Sequence, residues 1–169
     1  TTIISTLGIA DAREYMNLLD ITMPNSGFPI TTETLKELRD SGSKLALYNC
    51  GANRFSFGFY PWRVGALLRA QWSFTYGGDV SDPYGAIPAG APVSCDCKYT
   101  PDWQVLPSVG MLLQREGVSD YRYVQLLEER LAAADKAGRG NTPASRAGRK
   151  VLADLRQAIK ETYLDPDNS

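Results

Sequence analysis

Histidine is absent from this chain of 169 residues. Its absence excludes His-based nucleophilic triads, His general bases and His zinc ligands within the chain. Any acid–base chemistry is left to carboxylates, tyrosine or lysine. Cysteine is scarce, with Cys50, Cys95 and Cys97 the whole set. A lone Cys-x-Cys spacing without a second pair does not make a zinc site, so neither a metal nor another cofactor is expected. Cys50 and the Cys95/Cys97 loop are expected near one another, with a disulfide between them left open. No apolar run approaches the roughly 20 residues of a membrane helix, and no charged-then-apolar leader opens the chain, so no membrane partner is expected. Excess charge is lacking too: 18 basic residues stand against 19 acidic ones, a net charge of −1. That balance removes the electrostatic case for nucleic acid.

What is present is enough apolar material, 43% of residues, for one ordinary domain. Strand-like and helix-like segments alternate. Strands are expected near residues 2–6, 18–23, 44–49 and 73–77, all parallel, because the connections are too long for hairpins. Helices are expected over 9–17, after Thr31, over 60–71, over 109–136 and after Thr142. Thr31 is placed as an N-cap, with Ile30 and Leu35 as a hydrophobic staple and Gly42 as the stop. Thr142 caps a last helix that begins at Pro143. The Pro- and Gly-rich stretch 79–108 is expected to be a long loop across the strand ends. No repeat and no interdomain linker is visible.

The apolar run Leu45 to Leu47 ends in Tyr48-Asn49-Cys50-Gly51, followed by an aromatic segment that reaches Trp72. A buried parallel strand that ends this way points to a site at its C-terminal end, where α/β folds bind ligands. Tyr48, Asn49, Arg54, Trp62, Trp72 and Tyr84 are the candidate substrate-binding residues, expected to line one concave, mostly uncharged site. Each has a structural alternative: a satisfied core hydrogen bond for Tyr48 and Asn49, an ion pair for Arg54, core packing for Trp62 and Trp72, and for Tyr84 an aromatic of a solvent-facing connector pinned onto the core. Glu128-Glu129 is an adjacent acidic pair, but it falls inside an amphipathic helix and reads as solvated surface charge.

The order Leu-Tyr-Asn-Cys, Arg54, Trp72, Asp82-Pro83-Tyr84 and Pro107-Ser108 leads to Arg115-Glu116-Gly117-Val118-Ser119-Asp120-Tyr121-Arg122-Tyr123. This series resembles the C-terminal half of glycoside hydrolase family 123-like catalytic domains, whose closing helix carries an Arg-Glu-Gly-x-x-Asp-Tyr-x-Tyr signature. The resemblance covers roughly residues 3–131. It implies an α/β fold that is the C-terminal portion of a (β/α)8 barrel, with about four parallel strands plus two closing helices. Residues 1–137 would form the second half of the catalytic domain, and 138–169 a C-terminal helix packed on it. It also implies hydrolysis of glycosides of neutral or N-acetylated sugars, so the expected ligand is a glycan or small saccharide.

The family's adjacent Asp-Glu pair has no counterpart here, since the chain contains no Asp-Glu dipeptide. Its catalytic carboxylates are therefore expected either upstream of Thr1 or lost, and the other half of the barrel is expected upstream. The opening at Thr1, directly in a strand-like run, points the same way. The isolated chain is then expected to be inactive, and its open sheet edges call for that upstream half or a homo-oligomer partner. Relatives often carry an arginine shortly after the Pro-Ser that matches Pro107-Ser108; this chain does not. An extracellular or periplasmic location is favoured. The rival reading is a noncatalytic carbohydrate-binding or structural domain. A nucleotide-binding domain ranks third, because no Gly-x-Gly-x-x-Gly turn or Walker loop follows an expected strand.

Overall fold

A computed structural model of the chain describes residues 3–5, 13–25, 30–51, 53–71, 97–99, 104–107 and 109–162. The fold is mixed α/β. Strands β1 (Ile3–Ser5), β2 (Ile21–Met23), β3 (Lys44–Tyr48) and β4 (Leu68–Ala70) form one sheet in the order β1-β2-β3-β4. Every neighbouring pair in that sheet is parallel, with Ile3 opposite Ile21, Thr22 opposite Leu45 and Leu47 opposite Arg69.

Of the helix expected over 9–17, residues 13–15 are helical and run directly into a 3-10 turn, Met16–Leu18, while 9–12 lie outside the described residues. Helix α1 (Thr32–Ser41) has the expected ends. The Thr31 hydroxyl accepts from the Thr34 N–H at 3.2 Å, the Thr34 hydroxyl accepts from the Thr31 N–H at 2.8 Å, and Gly42 closes the helix with φ of 77°. Such a reciprocal cap satisfies two of the donors that a helix start leaves orphaned. Ile30 and Leu35 are both buried, in one core cluster with Leu38, Leu45, Leu47, Tyr60 and Val64. After Lys44, β3 is buried at four successive residues, Leu45 to Tyr48, the pattern of a parallel strand covered on both faces. Full burial of one such leucine contributes about 2–3 kcal/mol.

Two expectations are corrected downstream of β3. The helix placed over 60–71 is helical only as far as Val64, in α3 (Phe59–Val64), and a separate short helix, α2 (Arg54–Phe57), precedes it. Gly65, with φ of 69°, ends α3, and Leu68–Ala70 form β4. The reason is pairing: β4 lies beside Ala46 to Tyr48, so the partner strand overrides the local apolar spacing of Val64, Leu67 and Leu68. The strand expected over 73–77 lies outside the described residues. The stretch expected to be a plain loop holds an antiparallel pair, β5 (Cys97–Tyr99) with β6 (Val105–Pro107).

Helices α4 (Val109–Lys136) and α5 (Pro143–Ala158) close the chain, the latter capped by Thr142 with Pro143 in its first turn. They join around Val124, Leu131 and Leu152, with Phe59 and Trp62 of α3 packed against that cluster. Arg63 fastens α3 to the end of α5, donating to the Ile159 carbonyl at 2.8 Å and pairing with Glu161 at 2.8 Å, while the Tyr60 hydroxyl donates to the Glu161 carbonyl at 3.1 Å. Among the described residues no helix is long and apolar enough to cross a membrane.

Candidate functional site

Three parallel strands release the chain at the same end of the sheet, and the residues there are polar. Asn49, the first residue after β3, has a positive φ of 54°, a conformation that asparagine tolerates better than most side chains. Its N–H donates to the Ala70 carbonyl at 3.2 Å, which continues the β3–β4 ladder by one bond. Its side-chain amide donates to the Asn25 Oδ1 at 3.4 Å, so the exits of β2 and β3 meet through two neutral amides. Gly51, with φ of 77°, then turns the chain back. Asn53 caps α2 reciprocally with Ser56, at 2.8 and 3.2 Å, and the buried Ser56 hydroxyl donates to the Gly51 carbonyl at 3.0 Å.

Arg69 of β4 completes this cluster. It donates to the Gly51 and Ala70 carbonyls and to the Gln71 Oε1 at 2.7 Å, with its guanidinium 4.4 Å over the Phe57 ring. Cys50 is buried beside it and donates to the Tyr48 carbonyl at 3.4 Å. Burial pushes the Cys50 thiol up from its ordinary pKa, against a smaller downward pull from the Arg69 charge. A thiol so placed stays protonated at neutral pH and is a poor nucleophile.

The candidate residues divide. Tyr48 and Asn49 lie at the C-terminal end of β3, as expected. Arg54 lies just beyond, but its fork faces helix α4: Nε and Nη2 donate to the two carboxylate oxygens of Asp120 at 2.6 and 2.8 Å. The Asp120 hydrogen bond, and then its charge, raise the Arg54 pKa further above its ordinary value. Trp62 is not brought to this end. It packs among α3, α4 and α5 with the Arg156 guanidinium 5.1 Å from its ring, and it lines a groove with Ser43, Lys44 and Leu45, where β3 starts. Trp72 and Tyr84 lie outside the described residues, as do Cys95 and the Cys97 side chain, and with them the disulfide to Cys50 that the sequence left open.

The Arg115 to Tyr123 signature is a docking element. A Cβ on Gly117 would fall 2.3 Å from the Arg54 carbonyl oxygen, and one on Gly58 would fall 2.8 Å from that of Gly117. Only glycines allow α4 so close to the 54–58 segment, and Asp120, one turn on, holds Arg54 there. Arg115 pairs with its neighbour Glu116 at 3.3 Å on the exposed face. Glu128 pairs with Arg156 at 2.8 Å and Glu129 accepts from Gln125 at 3.1 Å, so both carboxylates sit among surface polar partners.

Asn25, Arg69 and Gln71 were not among the candidates. Asn25 follows the turn signal after β2. Arg69 and Gln71 were hidden by the helix expected over 60–71, although Gly65 offered a helix stop four residues before Arg69. Among the described residues no group of three or more Cys, Asp or Glu could hold a metal. Compared with known proteins, the chain matches no family model and no curated protein.

Proposed function

We propose that this chain contributes a sugar-binding face to a glycoside hydrolase, with the catalytic carboxylates supplied from an upstream half of a (β/α)8 barrel. The observation that carries the reading is the convergence of Asn25, Asn49, Arg69 and Gln71 at the C-terminal ends of β2, β3 and β4. Amide side chains each offer donors and acceptors, the combination that a sugar hydroxyl needs, and most of this cluster is uncharged. The sequential parallel order of the strands is compatible with a stretch of barrel wall, and the resemblance of the Arg115 to Tyr123 signature supports the same family of folds. Substrates are then glycosides of neutral or N-acetylated sugars. The Asn49 amide orients sugar hydroxyls, and Arg69 holds the Gly51 turn beneath it.

A second reading is favoured by the use of the signature itself. Gly117 and Asp120 serve helix docking, as a noncatalytic carbohydrate-binding or structural domain would also require. The test separates the two. In a polypeptide that joins this chain to the upstream half, Asn49→Gly, which removes the amide but keeps the positive φ, should lower kcat/KM on an aryl N-acetylhexosaminide about tenfold, the worth of one substrate hydrogen bond, with little change in melting temperature. Unchanged kinetics would remove Asn49 from the site. Turnover by the isolated chain would show that the acids lie within it, and saccharide binding without turnover in the joined polypeptide would favour the noncatalytic reading.

A further inference from the structure

An open trough begins where β3 starts, at the end of the sheet away from Asn49, and its far part borders Arg69 and Phe57 of the cluster described above. Two grooves, of about 650 and 300 Å³, share Pro61, Ala66, Leu67 and Tyr121 and so form one continuous surface. It runs from α1 and the start of β3, past the end of α3, to Val118 on α4. Its position follows from a short crossover. A parallel sheet is normally covered by helices, yet α3 has six residues, about 9 Å of helix, where α1 has ten, about 15 Å. Among the described residues no helix continues this layer beyond Gly65, and Leu67, Leu68 and Val118 line the smaller groove at 57%, 43% and 38% exposure.

The rim of the larger groove is cationic. Arg39, Lys44 and Arg156 line it against Glu128 alone, in a chain whose net charge is −1. Glu128 is engaged by Arg156 at 2.8 Å, whereas among the described residues neither Arg39 nor Lys44 has an ion-pair partner. Both side chains project from exposed positions at the mouth of an apolar floor. A partner that complements the described surface is therefore apolar along one line and acidic on the flank.

We propose that this trough docks an acidic amphipathic helix of a partner protein, with its apolar stripe over Leu67, Leu68 and Val118 and its carboxylates facing Arg39 and Lys44. Such helix-in-groove recognition takes its affinity from the apolar anchors and its selectivity from the rim charges. The probe is a helical peptide of about 18 residues, long enough to hold helix in water, with leucines at helical spacing and Glu on its other faces. A twin peptide carries Lys in place of Glu. Calorimetric titration should show the Glu peptide binding and the Lys peptide failing to bind. In the chain carrying Arg39→Glu and Lys44→Glu, affinity for the Glu peptide should fall at least about tenfold while the Lys peptide gains. Leu67→Asp should abolish binding of either peptide. All three positions are exposed, and an unchanged circular dichroism spectrum confirms the fold of each variant. Absence of Glu-peptide binding, or equal affinity for the two peptides, overturns the proposal. So does concentration-dependent dimerisation abolished by Leu67→Asp, which would make a second copy the occupant.

Discussion

The sheet and the α4–α5 hairpin bury their apolar residues in opposite ways. Strands β1, β2 and β4 have three residues each, and the sheet core rests on β3, where Leu45, Ala46, Leu47 and Tyr48 are at most 8% exposed. The hairpin has 28 and 16 residues in its two helices, yet its fully buried cluster is Val124, Leu131 and Leu152, and Leu112, Leu113, Tyr123 and Leu126 remain exposed. A helix satisfies its own backbone within four residues, so it persists with one narrow packed stripe. A three-residue strand has no such reserve and depends on neighbours on both sides and both faces. The two regions meet where α2 and α3 lie against α4, at the Gly58–Gly117 approach and the Arg54–Asp120 pair.

The contrast is sharpest at single leucines. Leu47→Ala empties a fully enclosed position in β3 and should cost about 4 kcal/mol, whereas Leu152→Ala, in the smaller cluster of the hairpin, should cost about 2–3 kcal/mol. Urea unfolding of the two variants checks the order. Equal losses would mean that the sheet core is no less tolerant than the hairpin.

The seam supplies the next effect. In Gly117→Ala the new methyl meets the Arg54 backbone, which cannot swing aside as a side chain would, so α4 must lift from α2. Overpacking of about 3 kcal/mol, offset by about 1 kcal/mol of helix propensity, leaves a net loss of about 2 kcal/mol. The same variant should split unfolding into separate sheet and hairpin transitions, visible as non-coincident near- and far-ultraviolet circular dichroism curves. A single transition at unchanged midpoint would show that the two regions are not joined through these glycines.

The smallest effect is one of pH, and it belongs to the sheet alone, because residues 109–162 contain no cysteine. Burial raises the Cys50 pKa, so as pH rises through the ordinary thiol range the native state keeps a proton that the unfolded chain has released. The native state then binds more protons than the unfolded one, and stability falls with rising pH. Below that range the contribution is fully present. Cys50→Ala should flatten the slope between neutral and alkaline pH in denaturant titrations. A slope that survives the substitution would assign it to another group.

The elements legible in the chain were those whose evidence lies within a few residues. Thr31 and Gly42 bound α1, Thr142-Pro143 opens α5, and the apolar spacing from Leu112 to Leu131 marks α4, because caps and helical periodicity are local. The uninterrupted run Leu45 to Tyr48 likewise announced a buried parallel strand with polar residues at its exit. The composition excluded histidine chemistry outright.

Other features were settled by partners distant in the chain. Leu68 to Ala70 became a strand because β3 lay beside it, although the same leucines fit a helix face. Arg54 faced either a ligand or an ion pair until Asp120, 66 residues later, was brought within 2.6 Å. Gly117 stands inside a long helix, and only the backbone of Arg54 pressed against it gives its lack of a side chain a purpose. Trp62 read as a face for sugar or as core packing until α3 carried it against α4 and α5, near the start of β3. Helix hydrogen bonds and caps close over three or four residues and are written in the local order of side chains. Strand pairing, ion pairs across elements and close backbone approach close over tens of residues, so their outcome depends on which surfaces the rest of the chain brings together.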